Sequence, residues 1–63
     1  MTKSDRNMWI INIENTASIV ATKYGNEVAL SIFRRYDAHG IYDLNPCYYP
    51  DVFADLEQIA FNN

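Results

Sequence analysis

Few residues in this chain have the chemistry to act on a substrate. His39 is the single histidine and Cys47 the single cysteine. His39 stands beside Gly40, with Asp37 and Asp43 nearby in sequence. A general base needs a nucleophile or an orienting partner in a second signature, and none accompanies it. It reads as a turn residue or a cation near a helix C-terminus. Cys47 adjoins Pro46 and two tyrosines, with no base placed to lower its pKa, and reads as a small, partly buried apolar residue. One cysteine permits no internal disulfide and offers no zinc or iron–sulfur spacing. Asp51 and Asp55 are four apart, hence on one helical face with Glu57 on a flank, but no glycine-containing calcium loop surrounds them or the pair Asp37 and Asp43. No catalytic residue, metal site or cofactor is expected, and an enzyme is the least expected class.

Charge carries more information, because it is unevenly spread. All five basic residues, Lys3, Arg6, Lys23, Arg34 and Arg35, lie in the first 35 positions, against three acids. From Tyr36 onward there is no lysine or arginine, while Asp37, Asp43, Asp51, Asp55 and Glu57 are all acidic. The C-terminal half therefore suits a basic partner surface and repels phosphate. It is also rich in tyrosine, a residue favoured in protein interfaces because it brings large area with few rotamers to freeze. Tyr42, Asp43, Tyr48, Tyr49, Asp51, Asp55 and Glu57 are the expected partner-binding residues, with Tyr36 and Phe53 turned inward.

The alternative is a small DNA-binding regulator built on Lys23, Arg34 and Arg35. Helices joined by a tight turn at Gly25 resemble a helix-turn-helix. Its second helix, however, opens with Glu27, Val28, Ala29 and Leu30, which offer no base-reading groups, so direct DNA binding is not expected. A third reading is a self-associating structural subunit or homodimer that pairs through Trp9 and the neighbouring isoleucines.

Elements able to position these residues follow from periodicity. Gly25, Gly40, Pro46 and Pro50 punctuate the chain into three amphipathic segments. Ile13, Ala17, Val20, Ala21 and Tyr24 predict a helix over about residues 13–24, ended by a left-handed cap at Gly25. Residues 8–13 fit either a short strand or an additional helical turn. Asn26 is a candidate cap for a second helix at about 27–36, whose stripe is Val28, Ala29, Ile32, Phe33 and Tyr36. The connector is too apolar for an open loop, with Asp43 or Asn45 capping a turn that begins at Pro46. Pro50 opens a third helix at about 50–61, with Val52, Phe53, Leu56, Ile59 and Ala60 inward. The fold class predicted is all-α, a compact three-helix mini-domain. Trp9, Phe33, Leu44, Phe53 and Leu56 are to fill the middle. With 63 residues the chain sits near the lower limit for a core unsupported by disulfides or metals.

The apolar stretch Met8–Ile13, about six residues, is too short for a membrane span or signal sequence, which points to the cytoplasm and away from a membrane partner.

The run Lys23-Tyr24-Gly25, Val28, Arg35-Tyr36, Ile41-Tyr42-Asp43-Leu44, Pro46, Tyr49 and Val52-Phe53-Ala54-Asp55-Leu56 resembles small accessory proteins of phages and conjugative elements in Firmicutes. The pattern covers about residues 13–60 and consists of packing and turn positions without a chemical motif. What the resemblance implies is a setting. Such elements carry anti-defence proteins, including anti-restriction and anti-CRISPR inhibitors, many of which act by binding. Some present carboxylates to the basic groove of a nucleic-acid-handling host enzyme. The resulting expectation is a non-enzymatic inhibitor or modulator of a host protein.

Overall fold

The computed structural model describes residues 1–62. It contains three α-helices, α1 (Lys3–Tyr24), α2 (Asn26–Arg34) and α3 (Tyr49–Ala60), and, among the described residues, no strand. The all-α, three-helix architecture is the one that periodicity predicts.

The first helix is longer than the apolar spacing indicates. It starts at Lys3, where the Thr2 side chain accepts a hydrogen bond from the Asp5 N–H at 3.1 Å. That cap satisfies an orphan donor and allows residues 8–13 to continue the helix, so the strand reading of that segment is wrong. Ile13, Thr16 and Val20 form the buried stripe of α1. Thr16, the one polar residue among the buried set, donates its hydroxyl to the Asn12 carbonyl at 2.8 Å. Tyr24, expected in that stripe, is exposed at the helix end.

Gly25 joins α1 to α2 at φ 100° and ψ 154°, a region essentially confined to glycine. Its N–H reaches the Ala21 carbonyl at 2.8 Å, ending one helix, and it serves as N-cap of the next. Asn26 is therefore the first residue of α2, and its side chain makes no capping bond, contrary to the predicted role. At the far end of α2, Ala38 N–H bonds the Phe33 carbonyl at 3.1 Å and Asp37 N–H bonds Arg34 at 3.2 Å. This is a Schellman ending with Asp37 in the left-handed position at φ 59°. Ala38 and Phe33, its usual apolar pair, are both buried.

The connector folds back through two 3-10 turns, Ile41–Asp43 and Pro46–Tyr48. Asn45 Oδ1 accepts the Cys47 N–H at 3.1 Å, so of the two predicted caps Asn45 holds the Pro46 turn. Cys47 is exposed rather than partly buried. Pro50 falls in the first turn of α3, where a missing N–H costs nothing.

Trp9 meets Phe53 edge-on at 5.8 Å between ring centroids, and the Lys23 ammonium donates to the Ala60 carbonyl at 2.8 Å. Helix α3 therefore runs in the same sense as α1 and lies along it from residue 9 to residue 23. The core between the helices holds Ile13, Val20, Ile32, Phe33, Leu44 and Leu56, with Tyr49 and Val52. Trp9 and Phe53 close one edge, half-buried, rather than filling its centre. At 1.5 Å per residue α1 is about 33 Å long, equal to the molecule's longest dimension of 33 Å. Its first two turns project past the start of α3, and residues 1–8 are all exposed.

Candidate functional site

The acidic, tyrosine-rich set does not form one face. Four environments divide it, and each follows from local structure.

Tyr49 is 1 % exposed. It opens α3 on the same side as Val52 and Leu56, so it belongs to the core and offers no area to a partner, correcting its assignment as a docking residue.

Asp43 works inward on its own turn. Its carboxylate accepts the backbone N–H of His39 at 2.9 and 3.0 Å and of Gly40 at 3.0 Å, and lies 2.9 Å from His39 Nδ1. The His39 amide chiefly, then its ring and the Gly40 amide, hold this carboxyl below the usual carboxylate range. His39 is thereby oriented by a carboxylate, as a general base would be, but the shallow hollow it borders with Arg34 and Asp37 contains no nucleophile. Tyr42 lies over Gly40 and is 88 % exposed.

The third environment joins α2 to α3. The Tyr36 hydroxyl donates to Asp55 Oδ2 at 2.7 Å, and Arg35 Nη1 stands 3.8 Å from the same oxygen. The Tyr48 ring packs on Tyr36 at 5.1 Å, tilted 42°. The hydrogen bond to Asp55, partial burial and the charges of Asp55 and Asp51 together raise the Tyr36 pKa above its ordinary value, with Arg35 opposing. Asp51 is thus close enough to act on this ring while remaining exposed. Tyr36, Tyr48, Asp51 and Asp55 make one contiguous aromatic and acidic flank. Periodicity alone turns Tyr36 inward. It is half-buried and supplies the floor of the flank, and the Tyr36–Asp55 bond, spanning 19 positions, has no local sequence signal.

Glu57 is alone. At 100° per residue it points about 120–160° away from Asp51 and Asp55 around α3, beside Phe53. Among the described residues no group of three or more His, Cys, Asp or Glu converges to hold a metal ion.

The basic residues of the alternative reading are each engaged within the chain. Lys23 caps α3 at Ala60, Arg34 pairs with Glu27 at 3.6 Å, and Arg35 with Asp55. The two arginine pairs are largely solvated and worth little, so both side chains remain extensible. No helix is long and apolar enough to cross a membrane.

Comparison with known protein families, curated proteins and solved structures finds no match for this chain.

Proposed function

We propose that this chain is a non-enzymatic protein-binding module that docks on a basic protein surface through the Tyr36–Tyr48–Asp51–Asp55 flank, with Tyr42 contributing at its edge. The observation that carries the reading is the order of that flank. Tyr48 packs on a tyrosine whose hydroxyl is already committed to Asp55, so an exposed aromatic edge is held before any partner arrives, with the exposed Asp51 one helical turn from Asp55. Such preorganisation reduces the entropy cost of association, and aromatic anchors beside a carboxylate match an arginine- or lysine-bearing surface. The resemblance to accessory proteins of mobile elements supplies the setting: inhibition of a host nucleic-acid-handling protein.

Affinity capture of tagged protein from host lysate, followed by mass spectrometry, tests it. Asp51→Lys is the clean variant, because Asp55→Lys would also break the Tyr36 bond and place two cations together. Loss of a retained basic protein with Asp51→Lys is the expected result. An unchanged capture profile contradicts the reading. Salt-sensitive retention of bare duplex DNA would instead favour the regulator that uses Lys23, Arg34 and Arg35.

A further inference from the structure

The outer face of α1 points away from both other helices. Ala17 and Ala21 turn toward α2, where they line a hollow with Ala29 and Phe33, while Trp9 and Lys23 reach α3. At 100° per residue, Ser4, Met8, Ile11 and Asn15 fall about 140–180° around the helix from the buried Ile13. Met8 is 61 % and Ile11 57 % exposed, and Ser4 and Asn15 are exposed too. Of the apolar residues near the start of α1, Trp9, Ile10 and Ile13 are therefore spent on the core, and Met8 and Ile11 are left outside it.

The order of residues along this face is self-complementary, and that chooses its occupant. Met8 and Ile11 form the middle, with Ser4 one turn before and Asn15 one turn after. Lys3 and Glu14 stand together on the flank beside α2, both about 80–100° from Ile13. A twofold axis crossing α1 at Trp9 sets Met8 opposite Ile11 of a second copy, Ser4 opposite its Asn15 and Lys3 opposite its Glu14, each within about 1.5 Å along the helix. Such an axis keeps like flanks together, so both copies gain a cation against an anion, as an isologous contact requires. Among the described residues the ion pairs of the chain involve Arg34, Arg35 and His39, which leaves Lys3 and Glu14 uncommitted. Approach is not opposed by net charge, because the acids from Asp37 onward, which make the chain −3, lie outside α1.

We infer that α1 is an antiparallel self-pairing surface: two copies join through Met8 and Ile11, in a register set by Lys3 and Glu14. The inference is independent of the docking proposed above. The Tyr36–Tyr48–Asp51–Asp55 flank contains no residue of α1, so the dimer presents that flank twice and can bind a repeated partner surface with avidity.

Sedimentation equilibrium of the full chain, from low micromolar to millimolar concentration, tests it. The expected result is a reversible monomer–dimer equilibrium that stops at the dimer. Ile11→Ser should weaken it about tenfold or more, since two copies of the side chain leave the interface at once. Lys3→Glu alone and Glu14→Lys alone each turn two attractions into two repulsions and should weaken it severalfold. The double variant, with both changes, restores opposite charges in the same register and should return to within about twofold of the native chain. Glu57→Lys, the same charge change on α3, should alter it less than about twofold. Matching circular dichroism shows that each variant is folded.

A chain that stays monomeric throughout overturns the inference. So does a double variant as weak as either single one, which would mean that Lys3 and Glu14 do not meet, or an Ile11→Ser variant that associates as well as the native chain.

Discussion

The α1–α3 seam and the α2–α3 connector are held by different forces. Along the seam, Ile13, Val20, Val52, Leu56 and Ala60 are fully buried, and the attraction is removal of apolar area from water, which is indifferent to pH. In the connector, residues 35–48, side chains bond to backbone and to one another: Asp43 to His39 and Gly40, Asn45 to Cys47, and Tyr36 to Asp55. The seam makes the molecule stable, and the connector gives its surface a fixed shape. A small chain can dispense with neither, since its core is too modest to order 14 irregular residues by burial alone.

Mutations should separate the two regions. The largest effect is expected from Leu56→Ala in the seam, a loss of about 2–5 kcal/mol. That approaches the whole stability of a domain this size, so thermal unfolding followed by circular dichroism should show little or no folded protein. Gly25→Ala should cost about 1–3 kcal/mol through backbone strain alone, because no atom lies within 4 Å of the added methyl. A loss matched by Gly25→Ala and an unrelated surface substitution would mean that the α1–α2 joint is not strained.

Connector variants should act less on stability and more on its pH dependence. The folded Asp43 carboxyl titrates below its ordinary value of 3.8. The unfolded chain therefore binds the proton first, and the Asp43 contribution is present above that value and lost as pH falls through the folded one. Asp43→Asn should flatten the acid limb of stability against pH. Tyr36 behaves oppositely. Its folded pKa lies above 10.0, so its contribution is complete below pH 10 and disappears as pH rises through the folded value, when the phenolate no longer donates to Asp55. Tyr36→Phe should remove that alkaline loss. The smallest effect is a gain. Asp37 pays left-handed strain at φ 59°, and Asp37→Gly should stabilise by about 0.5 kcal/mol, the relieved strain of roughly 1–2 kcal/mol being partly offset by glycine's chain entropy.

The seam was legible in the sequence and the connector was not, for the same reason. Val52, Leu56 and Ala60 repeat at helical spacing, and Ala29, Ile32 and Phe33 do likewise, so the buried stripes of α2 and α3 follow from period alone. The start of α1 does not show in the apolar period, because a Thr2 cap with Asp5 three residues on is a short polar signal, and the isoleucines after it suit strand and helix alike. The docking set follows from composition, which cannot tell the buried Tyr49 from the exposed Tyr48 beside it. Nor can sequence distance show that Asp55 meets Tyr36 rather than Glu57 or Asp51, since only the fold brings α2's end to that flank.

The central claim is that side-chain ties in the connector hold the docking flank in shape before a partner binds. Amide hydrogen exchange by NMR at neutral pH addresses it directly. In the native chain the His39 and Gly40 amides should be protected, and Asp43→Asn should release them while leaving the amides of α1 and α3 unchanged. Rapid exchange of both amides in the native chain, no slower than in Asp43→Asn, would contradict the account.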